Sequence, residues 1–192
     1  MNMTTIFVSQ KEFKDRRLQR IGCGVAATMM LLLKHHMHKS LVPSEKDLST
    51  CLWCLVSPVL TGYEEDDGFG VSIEDVLFFL NRSSIPYRDT YFDKSFVERH
   101  EKNALLTLPK WLENAPIMVG VDGAFNSWQH GHWIVLVAAD DHGYSYLDPR
   151  YKSDDGRYSA HISYGQFIES WGGYSIQLQG LNKRKRTWPP IC

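Results

Sequence analysis

An α+β fold is the class this sequence predicts, and three observations carry the prediction. Apolar residues recur at helical spacing in the first half, as in VAATMMLLL (25–33) and SIEDVLFFL (72–80). The second half turns to short segments rich in β-branched and aromatic residues: PIMVGVD (116–122), HWIVLVAA (132–139), YSYLD (144–148) and YSIQLQ (174–179). Helices first and an antiparallel sheet afterwards describe two layers, with the N-terminal helices packed on the sheet. At 192 residues, 43% hydrophobic and 12% aromatic, the chain is long enough to bury its own core as one domain.

Each element has a local reason. Gly22 to about His38 reads as a helix with an apolar face, and Ser44 caps a second through Glu45, Asp47, Leu48, Leu52 and Leu55. The stretch TGYEEDDGFG (61–70) is a loop. Ser72, followed by Glu74 and Asp75, opens a third helix that turns Ile73, Val76, Leu77 and Leu80 inward and stops near Asn81. IPYRDTYF (85–92) is extended, and Lys94 to Asn103 and Leu108 to Asn114 are short helices. DDHG (140–143) joins two strands as a hairpin, Ser163 to Trp171 is helical, and YSIQLQ closes the sheet. The sequence shows neither an internal repeat nor a domain boundary.

Composition narrows the partners. A net charge of −1 argues against a general nucleic-acid binder. The first residues lack the pattern of a secretory signal, and the longest apolar run, Val25 to Leu33, falls short of the ~20 residues a bilayer requires. The expectation is a chain without membrane insertion, cytoplasmic or exported without an N-terminal signal. Its four cysteines, Cys23, Cys51, Cys54 and Cys192, have no spacing that specifies a disulfide, which fits a reducing compartment.

The chemistry concentrates around RIGCGVAATMM (20–30), where Cys23 stands between two glycines at a helix start. A helix amino terminus favours the thiolate, the form that attacks carbonyls, and its N–H groups can face an oxyanion. Gly22 and Gly24 read as room for a substrate backbone. A thiolate working on an acyl group needs a base that later acts as an acid. Of the eight histidines, His35, His36 and His38 sit at the far end of the first helix, and His100, His142 and His161 lie in polar or turn contexts. His130 and His132 remain; His132 opens a strand, and the hairpin brings Asp148, held at the strand's edge by Pro149, beside it. Trp128, in the loop GAFNSWQHG (123–131), is placed to wall the cleft, while Trp133 and Trp171 read as core.

Taken together, GCGVAATMMLLL (22–33), DGFGVSIEDVLFFLNRSSIPYR (67–88), APIMVGVD (115–122), HWIVLVAADDHGYSYLDPR (132–150) and ISYGQFIESWGGYSIQL (162–178) resemble the C39-like branch of the papain-like cysteine peptidases, from about Gln19 to Leu178. The resemblance implies a papain-like α+β fold with Cys23 as nucleophile, His132 as general base and acid, and Asp148 orienting the histidine. It also implies a glutamine that donates to the oxyanion, for which Gln19 is the candidate. Gln19 precedes the cysteine by four residues, where five or six is the familiar spacing; the residue six before is Arg17. The substrate would be a peptide or protein, with no cofactor and no metal. Relatives that cut leader peptides are fused to ATP-driven exporters; this chain lacks a GxxxxGK[ST] signature, so it is expected to be free-standing, with a core of about 19–178 and a basic tail at 181–192. Stand-alone relatives include peptidases, acyl- or amide-transfer enzymes, bacterial effectors and proteins that lost their chemistry.

Other readings are weaker. Cys51 and Cys54 form a CxxC, but structural zinc calls for two paired ligand sets, and this one lies on a helical stretch. The acidic run Glu64 to Asp67 and the basic run Lys183 to Arg186 read as solvated. A binding module without chemistry is disfavoured by the full set Cys23, His132 and Asp148. Hydrolysis and acyl transfer both remain open.

Overall fold

A computed structural model describes residues 6–37, 70–83, 85–91, 101–122 and 131–180. The helix expected from Ser44, the CxxC, the acidic loop at 64–67, His38, His100, Trp128, His130 and the basic tail lie outside the described residues.

Helix α1 spans Arg16–Ile21 and α2 spans Cys23–Met37. Helix α3, Ile73–Arg82, begins as its sequence dictates: the Ser72 hydroxyl accepts from the Asp75 N–H while the Asp75 carboxylate accepts from the Ser72 N–H. It buries Ile73, Val76, Phe79 and Leu80; Leu77, expected inward, is only half-buried. Residues 103–107 form a π-helical turn that runs into α4, Leu108–Leu112. Pro109 supplies no N–H to that helix, which gives the widened turn before it a physical cause. Helix α5, Tyr164–Ser170, is capped by Ser163 and Gln166.

The strands are β1 (Tyr87–Tyr91), β2 (Ile117–Val121), β3 (His132–Ala139), β4 (Gly143–Leu147), β5 (Ser159–Ser163) and β6 (Trp171–Leu178). They form one sheet in the order β1-β6-β2-β3-β4-β5, every pair antiparallel. In register, Ile176 pairs with Met118, Met118 with Val135, and Val135 with Leu147. That row faces α2 and α3, in one core with Val25, Met30, Leu32 and Val76. The alternate residues Ile117, Val119, Ile134 and Leu136 face a second core with Leu108, Phe167 and Trp171. Helices therefore cover both faces, where the sequence anticipated one. Trp133 and Trp171 are buried in these cores.

The hairpin between β3 and β4 is tight: the Asp140 carboxylate accepts from the His142 N–H at 2.8 Å and the Gly143 N–H at 3.0 Å. Gly143 has no room for a side chain, because a Cβ there would lie 1.9 Å from the Ile162 carbonyl oxygen. This turn, together with a shift of register between Leu136 and Ala138, brings Asp148 back toward the start of β3.

Candidate active site

The strand side of the site is built by that register. His132 is the first residue of β3, and Asp148 directly follows β4. His132 Nε2 and Asp148 Oδ1 are 2.7 Å apart, with His132 8% and Asp148 0% exposed. Arg150 completes the corner: its backbone N–H donates to Asp148 Oδ1 at 3.0 Å and its Nη2 to Oδ2 at 2.7 Å. The Asp148 N–H donates to the Tyr158 carbonyl at 2.9 Å, which pins the turn to the main chain.

The helix side departs from expectation. Cys23, buried and free of any disulfide, is the first residue of α2, but α1 immediately precedes it. The Gly22 N–H donates to the Leu18 carbonyl at 2.9 Å, so backbone pairing runs on from α1 toward α2. The macrodipole of an isolated helix start is thus a smaller part of the cysteine's environment than the sequence implied. The signal for α1 was Asp15, whose carboxylate accepts from the Leu18 N–H at 3.1 Å.

The glycines also have a packing role. A Cβ on Gly22 would lie 2.3 Å from the Leu18 oxygen and 3.1 Å from the Phe13 ring. One on Gly24 would lie 2.8 Å from Val71 Cβ and 3.1 Å from the Trp133 ring. Both glycines permit a close approach by the protein's own atoms. Trp133 locks this packing by donating its indole N–H to the Val71 carbonyl at 2.9 Å.

Gln19 likewise has a structural engagement: its amide nitrogen donates to the Phe13 carbonyl at 2.7 Å. The glutamine that sequence reasoning missed is Gln10, 3% exposed and 13 residues before the cysteine. Its amide donates to the Gln19 and Arg20 carbonyls at 3.0 and 3.3 Å, and its backbone N–H to the Pro149 carbonyl at 2.8 Å. Gln10 thereby braces the end of α1 against the loop that carries Asp148.

Electrostatics join the two sides. Burial by itself pushes the Cys23 thiol up, but the hydrogen bond and charge of His132, with the backbone N–H groups of Trp133 and Gly24, bring it below its ordinary value. Burial disfavours the His132 imidazolium, yet hydrogen bonds and charge from Asp148 and Cys23 raise it to about 9. Burial raises Asp148 as well; the hydrogen bond and charge of His132, then Arg150, hold it below the usual carboxylate range. With Nε2 turned to Asp148, Nδ1 is the imidazole nitrogen left for the sulfur. Such a set can carry a thiolate and an imidazolium side by side.

His35 lies twelve residues along α2 from Cys23, about 18 Å by helical rise, and His142 and His161 are exposed by the β3–β4 hairpin. A cavity of about 480 Å³ near the far end of α2 is lined by Lys34, His35, Arg88 and Gln177, among others, and by none of the three site residues. Among the described residues no three His, Cys, Asp or Glu side chains gather to hold a metal. None of the described helices is long and apolar enough to cross a membrane.

No protein-family profile matches this sequence, and no curated protein matches it in sequence. Solved structures do resemble it. The peptidase domain of Streptococcus ComA, a bi-functional ABC transporter involved in a quorum-sensing pathway, has a TM-score of 0.51 at 16% identity over 85% of this chain and 93% of that one. A double-glycine-motif protease from an AMS/PCAT transporter, solved in complex with the leader peptide, has a TM-score of 0.45 at 18% identity over 83% of this chain and 84% of that one. The peptidase domain of Streptococcus mutans ComA has a TM-score of 0.42 at 17% identity over 66% and 91%. At such identities the likeness is one of architecture, and the Streptococcus ComA domain carries it: this chain has the α+β, papain-like fold of a C39-type peptidase domain.

Proposed function

We propose that the protein is a thiol-dependent hydrolase of peptide or amide bonds, acting through Cys23, His132 and Asp148. The observation that carries this reading is the buried 2.7 Å contact of His132 Nε2 with Asp148, on an imidazole whose influence holds the Cys23 thiol below its ordinary value. The Cys23 thiolate attacks the carbonyl carbon, and the carbonyl electrons move to oxygen. The Cys23 backbone N–H, at the start of α2, is the proposed donor to that oxyanion. His132 then gives its proton to the leaving amine, and the C–N bond breaks to leave a thioester on Cys23. Water, deprotonated by His132, attacks the thioester and releases the acid. An amine in place of that water gives acyl transfer through the same groups.

Asp148 remains ionised throughout, accepting from Nε2 and stabilising the imidazolium. The test is intact-mass analysis of the protein after exposure to pools of peptide and protein substrates. The expected result is an acyl adduct on Cys23 that is absent from Cys23→Ala. Turnover of a substrate by Cys23→Ala at the wild-type rate would overturn the reading.

A further inference from the structure

We propose that Arg150 is a positioning residue for the Cys23–His132–Asp148 set: by gripping both oxygens of Asp148 it fixes the carboxylate edge that holds the His132 imidazolium. The proposal rests on the reading of the site given above. Asp148 is 0% exposed, so no solvent satisfies its carboxylate. One residue engages both oxygens, with Arg150 N–H on Oδ1 at 3.0 Å and Nη2 on Oδ2 at 2.7 Å, which leaves the outer side of Oδ1 to His132. The Asp148-Pro149-Arg150 turn makes this possible, since the proline restricts the backbone between the two partners. Its carbonyl is in turn tied to the Gln10 N–H.

The other charged or titratable groups around Asp148 do not duplicate that grip. Cys23 faces the site from α2 and His132 from β3. Tyr146 from β4 and Tyr151 from the following turn contribute phenols. Arg157 stacks on the Tyr151 ring at 4.7 Å and is paired with Asp155 at 2.6 Å. From the N-terminal segment, Lys11 donates to the Gln19 carbonyl and Glu12 accepts from Ser153. Without the guanidinium, Oδ2 is a buried carboxylate oxygen missing its charged donor, and Asp148 turns or takes up a proton. A protonated Asp148 no longer stabilises a positive imidazole.

This role predicts a sign that a mere neighbouring charge does not. As a cation near His132, Arg150 opposes the imidazolium, so removing the charge alone moves the His132 titration upward. Losing the grip on Asp148 moves it downward. The experiment follows the His132 imidazole by ¹H–¹⁵N NMR against pH in wild type, Arg150→Met and Arg150→Lys, with His132→Gln assigning the signal.

We expect Arg150→Met to lower the titration by about one pH unit, and Arg150→Lys to recover most of the loss by returning a charge to Oδ2. An unchanged or raised midpoint in Arg150→Met overturns the proposal. If that variant does not fold, Arg150→Lys decides: a partial downward shift is expected, and none or an upward one overturns it. The underlying site reading fails separately, if wild-type His132 titrates at an ordinary value near 6.5.

Discussion

The two walls of the candidate site obey different rules. On the strand wall, His132 and Asp148 meet at the open end of an antiparallel hairpin whose register shifts once, between Leu136 and Ala138, and their contact is 2.7 Å. On the helix wall, Cys23 is preceded by a helix that lacks an apolar period, its glycines accommodate Phe13, Val71 and Trp133, and Gln19 ties down a loop. Strand register carries sequence position into space over many residues. An irregular segment before a helix is placed by tertiary contacts that no local pattern records.

The largest expected effect treats the walls alike. Cys23→Ala and His132→Ala should each reduce the turnover rate by more than ~100-fold, with Cys23→Ala still folding cooperatively. A wild-type rate in either variant would separate that wall from the chemistry. Gly24→Ala comes next, and here stability is the readout. Its new Cβ meets Val71 Cβ at 2.8 Å, so urea unfolding should show a loss of about 1–3 kcal/mol. Unchanged stability with a raised KM would return Gly24 to substrate binding.

Gln19→Ala should cost turnover less than about tenfold, because its amide serves the Phe13 carbonyl. Removing an oxyanion donor costs ~10²–10³, and a loss of that size would restore Gln19 to the chemistry. The smallest expected effect concerns stability against pH, measured as unfolding free energy. His132 is raised to about 9, so its contribution is full below its unfolded value near 6.5 and is lost as pH rises through about 9. Cys23 is lowered, so its contribution is lost as pH falls through its folded value and grows up to the unfolded value near 8.5.

Above both the unfolded His132 value near 6.5 and the lowered folded value of Cys23, and below the unfolded Cys23 value near 8.5, these slopes oppose, because folding moves a proton from sulfur to imidazole with little net release. Wild type should therefore be nearly flat there, whereas Cys23→Ala, with His132 still on Asp148, should lose stability as pH rises. A falling wild-type curve parallel to that of Cys23→Ala would break the link between the two walls.

Legibility followed the same divide. The capping boxes at Ser72 and Ser163, the hairpin at 140–143 and the central strands were readable because local chemistry and burial agree there. Strand β5 was not read: SAHIS is short, polar and largely unburied, and only its pairing with β4 makes it a strand. Helix α1 escaped because RRLQRI has too few apolar residues to show a period. Arg150 was visible as a charge two residues beyond Asp148, but its grip depends on a turn whose burial the sequence does not state. Gln10 was invisible in principle, since its partners lie 9 and 10 residues away in α1 and across the chain at Pro149.

The central claim is that Cys23 and His132 share a proton as thiolate and imidazolium, and thiolate absorbance near 240 nm tests it most directly. The difference between wild type and Cys23→Ala, followed against pH, should show the thiolate forming with its inflection below the ordinary thiol value. In His132→Ala the inflection should rise to or above that value, since burial alone pushes the thiol up. If instead wild type and His132→Ala both ionise only in the alkaline range, Cys23 is an ordinary buried thiol and the account is wrong.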